Sequence, residues 1–204
     1  MCEEIFSEPI TILPGKEEAR LSFKGALSCC SFKNPLCIDV GGASTECGMP
    51  MSSGTLHSVP WGAVMIHEKL LKKQHCAVSD KAWSESKAKL IEDFKQAHKN
   101  VHKNFDGVLA IGGSLVMSVR AFVKQDTDPI KTTLKDLKQI IETIRSATTQ
   151  ERIEKLNLNK ERAEASAAAM LALLAAIESN NAGDDVDVEV TQAGLRYGVL
   201  AEWC

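Results

Sequence analysis

Residues 37–48 read CIDVGGASTECG. The stretch opens inside PLCIDV (35–40), a short, apolar, β-branched run that reads as a buried strand and places the acidic Asp39 near its end. Gly41 and Gly42 follow at once, then Ala43, two hydroxyls at Ser44 and Thr45, and Glu46 near the start of TECGMP (45–50), which alternates like a second strand. Glycine permits positive φ, so Gly41 and Gly42 are expected to turn successive backbone N–H groups into one concavity that receives an anion. Ser44 and Thr45 add hydroxyl donors. Asp39 and Glu46 flank the loop and can hold a divalent cation beside a bound phosphate, since Mg²⁺ takes one or two carboxylates together with phosphate and water. A glycine hairpin with solvated carboxylates accounts equally well for D-x-G-G alone. The full D-V-G-G-A-S-T-E string between two strands carries every element of a phosphate cradle.

Outward from this hairpin the period changes. ITIL (10–13) reads as a strand fragment and PG (14–15) as a turn, followed by a helix over KEEARLSFKGAL (16–27). After the hairpin, SSG (52–54) is a turn and TLHSVPWG (55–62) a third strand of an antiparallel meander. Residues 62–73 are helical, with Val64, Ile66, Leu70 and Leu71 near one stripe, and 80–103 form a long polar helix with Asp80 as its N-cap. GVLAIGGS (107–114) is a buried strand running into a glycine turn, with a helix over 114–123 and a loop at DTDP (126–129). Helices over 133–147, 148–156 and 160–179 precede a strand at 186–192 and a closing helix at 194–203. Strands first clustered and then alternating with helices predict an α/β lobe with a mixed sheet of about five strands flanked by helices.

Composition bounds the function. A chain of 204 residues makes one large domain or two small ones against the usual range of about 100–200 residues per domain, and no linker or internal repeat divides it. With 44% hydrophobic and 25% charged residues it has an ordinary globular balance, which argues against disorder. Lys and Arg number 24 against 27 Asp and Glu, so the overall electrostatic footprint of a nucleic-acid binder is missing. AEASAAAMLALLAAI (163–177) is the longest apolar run and falls short of the roughly 20 residues of a membrane span, so it reads as a core helix. MCEEIFSEPI lacks the basic start and apolar run of a signal peptide, and seven Cys without a C-x-x-C pair read as reduced thiols. The expectation is a cytoplasmic chain without nucleic-acid or membrane partners.

Three further features bear on ligand binding. His98 and His102 have metal-ligand spacing on a helix, with Asp106 as a third group, but the lysine-rich HKNVH context favours a solvated face. Gly112 and Gly113, between a strand and a helix, can offer N–H groups to an anion or permit close strand-on-helix packing. The lysines from Lys69 to Lys103 suggest a polyanion track, yet Glu85, Glu92 and Asp93 are interspersed, as on an ordinary helix surface.

At this point the sequence resembles a family. DVGGASTE is similar to the DIGGGSTE signature of the exopolyphosphatase and guanosine-pentaphosphate phosphatase (Ppx/GppA) family, within the actin-like ATPase and sugar-kinase superfamily. ILPGKEEARLSFKGAL, SVPWGAVMIHEKLL, LAIGGSLVMSV and VTQAGLRYGVL resemble further segments of that family in the same order. The resemblance implies a ribonuclease H-like fold and Mg²⁺-dependent release of a terminal phosphate from polyphosphate or guanosine pentaphosphate. It implies a catalytic glutamate at Glu18, a Mg²⁺-linked aspartate at Asp39, and a phosphate loop at Gly41, Gly42, Ala43, Ser44 and Thr45, with Ala43 where the family has glycine. It also implies a glutamate tied to activity at Glu46 and a place for Gly112 and Gly113 in the cleft wall.

The resemblance covers the family's second lobe only, across residues 1–204, because the first lobe's D-x-G-S-N-S loop does not occur here. Met65 stands where the family has arginine, and Arg162 and Glu164 stand where it has R-A-D. An alternative follows: a phosphate- or nucleotide-binding lobe that is catalytically weak alone, or that pairs with a separate first lobe or with a second copy of itself.

Overall fold

Strand β1 (Leu36–Val40) lies at the middle of the molecule, with Leu36, Cys37 and Ile38 wholly buried. In the computed structural model, which describes residues 12–50, 55–72, 75–97 and 104–203, β1 pairs antiparallel with β2 (Thr45–Gly48) and parallel with β4 (Val108–Ile111). β3 (His57–Val59) extends the sheet beyond β2. On the other side β6 (Asp187–Thr191) runs parallel to β4, and β5 (Ile130–Thr133) closes the edge antiparallel to β6. The six-stranded sheet therefore has the order β3-β2-β1-β4-β6-β5. Its parallel core, β1, β4 and β6, brings three carboxyl ends to one edge, where ligands of open α/β sheets bind.

Both faces of that core are covered, which is why β1 and β4 read as near-continuous apolar runs, while β6 alternates and carries the buried Glu189 and Thr191. Cys37, Leu109 and Ile111 pack with Ala19, Phe23 and Ala26 of α1 (Gly15–Leu27). The intervening residues Leu36, Ile38, Val108 and Ala110 point into the larger core on the opposite face, as the two-residue strand period requires. There α7 (Lys160–Ser179) is buried along most of its length, with α2 (Ala63–Lys69), α3 (Asp80–Ala97), α4 (Gly113–Arg120), α5 (Leu134–Ser146) and α6 (Thr149–Leu156) arranged around it. Polar caps fix the helix starts: Thr133 accepts from Asp136 N–H, Asn159 accepts from Arg162 N–H, and Thr148 with Glu151 forms a reciprocal capping box. Among the described residues no helix is long and apolar enough to cross a membrane.

The closing helix α8 (Leu195–Trp203) lies against α1 with almost no space between them. A Cβ added at Gly198 would fall 1.8 Å from the Leu21 carbonyl oxygen, and one at Gly25 2.4 Å from the Gly194 carbonyl oxygen. Both obstacles are backbone, so neither can rotate away. Gly198→Ala is expected to force the helices apart and cost about 1–3 kcal/mol or more, as overpacking does, measured by urea denaturation. Gly183→Ala, where a Cβ meets nothing within 4 Å, should change stability little.

Several expectations change. A sixth strand, β5, lies where a loop and helix start were expected. Of ITIL, residues 10 and 11 lie outside the described residues, and Ile12 and Leu13 are not in a strand. The turn at 52–54 and both His98 and His102 also lie outside them. Asp106 accepts from the Lys33 and Asn34 N–H groups at 2.8 and 3.0 Å, so it has a structural duty. Ser79 rather than Asp80 caps α3, its hydroxyl accepting from Ala82 N–H at 3.3 Å. Of the middle lysines, Lys81, Lys87 and Lys89 pair with Glu85, Glu178 and Asp93, as on an ordinary mixed-charge surface, and Lys73, Lys99 and Lys103 lie outside the described residues.

Candidate functional site

The turn between β1 and β2 is organised by its carbonyl groups. The Gly62, Ala63 and Val64 N–H groups donate to the carbonyls of Ala43, Gly41 and Gly42 at 3.0, 2.9 and 2.9 Å. In a planar trans peptide the carbonyl and the following N–H point in opposite directions. Three carbonyls turned toward the start of α2 therefore turn the Gly42, Ala43 and Ser44 N–H groups away from it. Among the described residues none of these three donates to a backbone carbonyl, whereas Gly41 N–H is spent on the Ser44 carbonyl at 3.0 Å. The result is a row of adjacent donors suited to an anion.

This row arises without the positive φ expected at Gly41 and Gly42. Among the described glycines only Gly112 has φ in the left-handed range, at 147°. The close approach is instead supplied across the turn by Gly62, where a Cβ would sit 2.4 Å from the Gly42 carbonyl carbon and oxygen. Gly42 itself has room, its added Cβ meeting Val64 Cγ2 at 3.6 Å, and Ala43 shows that the turn accepts side chains. Thr45 is also corrected: it is fully buried and its hydroxyl donates to the Trp61 carbonyl at 2.7 Å, so it braces the loop from beneath.

A groove of about 480 Å³ lies against this loop, lined by Gly41, Gly42, Gly113, Ser114, Arg162 and Arg196 among others. Gly112 closes β4 against the Val40 carbonyl, and α4 begins at Gly113 with its positive end toward the groove. The Arg162 guanidinium lies over Gly113, where an added Cβ would be 2.6 Å from Nη1. Among the described residues neither Arg162 nor Arg196 forms an ion pair with a carboxylate. Gly113 lines the groove together with Gly41 and Gly42, whereas Gly112 is not among the lining residues and packs against the Val40 carbonyl. The two arginines were missed as ligands. They come from distant helices with no motif around them, and the only signal was their place in the R-A-D-like and GLR segments.

Behind the loop lie the carboxylates. Asp39 and Glu46 are directly opposite each other on β1 and β2, with Ser22 of α1 donating to Asp39 Oδ2 and Ser58 donating to Glu46 Oε1 at 2.7 Å. Burial pushes the Asp39 carboxyl up to about 7, against the Ser22 bond, and the charges of Glu46 and Glu18 push it the same way. Burial also raises Glu46, opposed by the Ser58 and Ser44 hydroxyls and assisted by Glu18. Glu18 therefore stands within electrostatic reach of both. Its neighbour Glu17 is on another side of α1, held by Arg20 Nη2 at 2.6 Å, and that bond lowers its pKa. Gly194, before α8, approaches Asp39 as well, its added Cβ lying 3.8 Å from Oδ2. The structure thus brings Glu18, Asp39 and Glu46 together beside the donor row. Among the described residues no three His, Cys, Asp or Glu groups are arranged as a metal cluster.

The sequence profile of the Ppx/GppA phosphatase family matches residues 1–204. The chain belongs to this family. Its fold is correspondingly the mixed, helix-flanked sheet of the actin-like ATPases. An exopolyphosphatase-like protein superposes with a TM-score of 0.83 at 20% identity, over 98% of this chain and 68% of that one. The Aquifex aeolicus Ppx/GppA family member gives 0.81 at 17% identity over 98% and 66%. An exopolyphosphatase from Cytophaga hutchinsonii gives 0.79 at 14% identity over 98% and 67%. At these identities the likeness is one of fold. The chain spans about two thirds of each of these Ppx/GppA relatives.

Proposed function

We propose that this chain is the phosphate-binding lobe of a Mg²⁺-dependent phosphoanhydride hydrolase that releases terminal phosphate from polyphosphate or guanosine pentaphosphate. The observation that carries the reading is the row of outward N–H groups at Gly42, Ala43 and Ser44 on a groove with Arg162 and Arg196, which form no ion pair among the described residues, backed by three carboxylates. Phosphoryl transfer needs little beyond this: charge neutralisation on the phosphoryl oxygens and a placed base for water.

The donor set fits Mg²⁺. Asp39 and Glu46 offer hard oxygens, Asp39 accepting from Ser22 and Glu46 from the Ser58 and Ser44 hydroxyls, and their mutual repulsion would be relieved by a cation. When bound, the ion would neutralise charge on the phosphate and lower the barrier to leaving-group departure. The loop N–H groups, with Arg162 and Arg196, hold the terminal phosphate. Glu18 accepts a proton from water as the water oxygen bonds to phosphorus. The bridging P–O bond breaks and its electron pair leaves with the shortened chain, giving orthophosphate. We place this work in the cytoplasm, consistent with the free state of the described cysteines.

The groove has walls on one lobe only, which favours a second reading. The lobe binds phosphates but turns over slowly until a separate first lobe or a second copy closes the cleft. Phosphate release from long-chain polyphosphate and from guanosine pentaphosphate, with Mg²⁺ or EDTA and with or without a first lobe from a relative, separates these readings. Activity of the chain alone supports the first, and activity only with the added lobe supports the second. No release together with no calorimetric tripolyphosphate binding by the chain overturns both. Arg162→Ala is expected to weaken tripolyphosphate binding by about tenfold or more, as loss of a charge-assisted contact does.

A further inference from the structure

Trp61 stands where the strip that orients the loop begins. Its N–H donates to the Val59 carbonyl at 2.7 Å, closing a tight turn around Pro60. Its carbonyl accepts the Thr45 hydroxyl at 2.7 Å, and the next three residues donate to the loop carbonyls. Its ring reaches sideways to α3: Nε1 donates to Asp93 Oδ2 at 2.7 Å. Lys89, one turn earlier on α3, reaches the same oxygen at 2.9 Å and lies 5.4 Å from the centre of the Trp61 ring. α3 is an 18-residue helix anchored in the core by Leu90 and Phe94, whereas α2 has seven residues and an exposed Val64. The rigid element therefore fixes the short one through the indole.

We infer that Trp61, held by Asp93, is a positioning residue for the anion-binding loop. By fixing where the 61–64 strip lies it fixes the loop carbonyls, and hence the direction of the Gly42, Ala43 and Ser44 N–H groups. The inference rests on the phosphate-loop reading for its functional consequence, but the coupling itself is readable without any ligand.

The test uses the full chain with ¹⁵N labelling and tripolyphosphate as the probe. Trp61→Phe keeps the ring and removes the donor, while Asp93→Ala removes the acceptor. Each is expected to shift the Gly42, Ala43 and Ser44 amide signals and to weaken calorimetric tripolyphosphate binding about tenfold, the worth of one good hydrogen bond. The double variant should bind no more weakly than either single one, because the two residues act as one unit. Asp93→Asn keeps an acceptor oxygen and should retain binding, which a general loss of α3 stability would not predict. Unmoved amide signals with unchanged binding in both single variants overturn the inference. If the wild-type chain binds no tripolyphosphate, the phosphate-loop reading fails, and the amide shifts alone decide the positioning role.

Discussion

Glu18→Gln is expected to lower turnover by on the order of 10²–10⁴-fold, the range for loss of a general base, while Glu17→Gln leaves turnover nearly intact. The contrast follows from helix geometry and from partners. Adjacent helical residues diverge by about 100° around the axis. Glu18 faces Asp39 and Glu46 closely enough to raise both, while Glu17 binds Arg20, which bridges on to Glu202 at 2.6 Å. Removing the Glu17 charge should change stability little, because its ion pair with Arg20 is exposed. Glu18→Gln preserves size and relieves repulsion among the carboxylates, so folding should not suffer. Phosphate release from polyphosphate under conditions where the wild-type chain turns over, alone or with a supplied first lobe, reads the difference. Equal slowing by both substitutions, or an intact rate in Glu18→Gln, removes Glu18 from the reaction.

The pair of glutamates also shows what a sequence can carry. The residues from Asp39 to Glu46 were legible because strand, turn and strand are contiguous, so the spacing along the chain is the spacing in space. The gathering of Glu18 beside them came through family resemblance, since α1 meets the sheet through Ala19, Phe23 and Ala26 packing on Cys37, Leu109 and Ile111, strand residues with no local signature in the helix. Arg162 and Arg196 reach the groove only through the packing of α7 and α8. β5 escaped because its Ile-Lys-Thr-Thr has one buried side chain and runs directly into α5, so neither period nor length marks a strand. The direction of the loop N–H groups was expected for the wrong reason. Positive φ was the local explanation, but the carbonyl partners at 62–64 do the orienting, and a turn partner on a later element has no local signature.

Stability should fall, not rise, as pH passes from about 4 to about 7 on account of Asp39, whose folded value is raised from 3.8 to about 7. In that window the native state keeps a proton that the unfolded chain has released, so raising the pH favours unfolding, and above about 7 the effect levels off. A shift of that size corresponds to a few kcal/mol, at about 1.4 kcal/mol per unit. Glu46, also raised, adds in the same direction. Because other carboxylates titrate there too, the quantity to measure is the difference in denaturation free energy between wild type and Asp39→Asn. The two should be nearly equal at pH 4, and the variant should be the more stable by a few kcal/mol at pH 8. Mg²⁺ should reverse this penalty. At pH 8 both carboxylates are charged and a cation between them is favourable, so millimolar Mg²⁺ should raise the wild-type Tm, by about 2.7 kcal/mol of stability at a hundredfold excess over its Kd. At pH 4, with the Asp39 site protonated, the response should vanish, and in Asp39→Asn it should be absent at both pH values. A wild-type Tm unmoved by Mg²⁺ at pH 8 argues against a cation at this pair. A wild type that gains stability over the variant between pH 4 and pH 8 means that Asp39 is ionised and well paired in the fold, and the repulsion that invites the metal is gone.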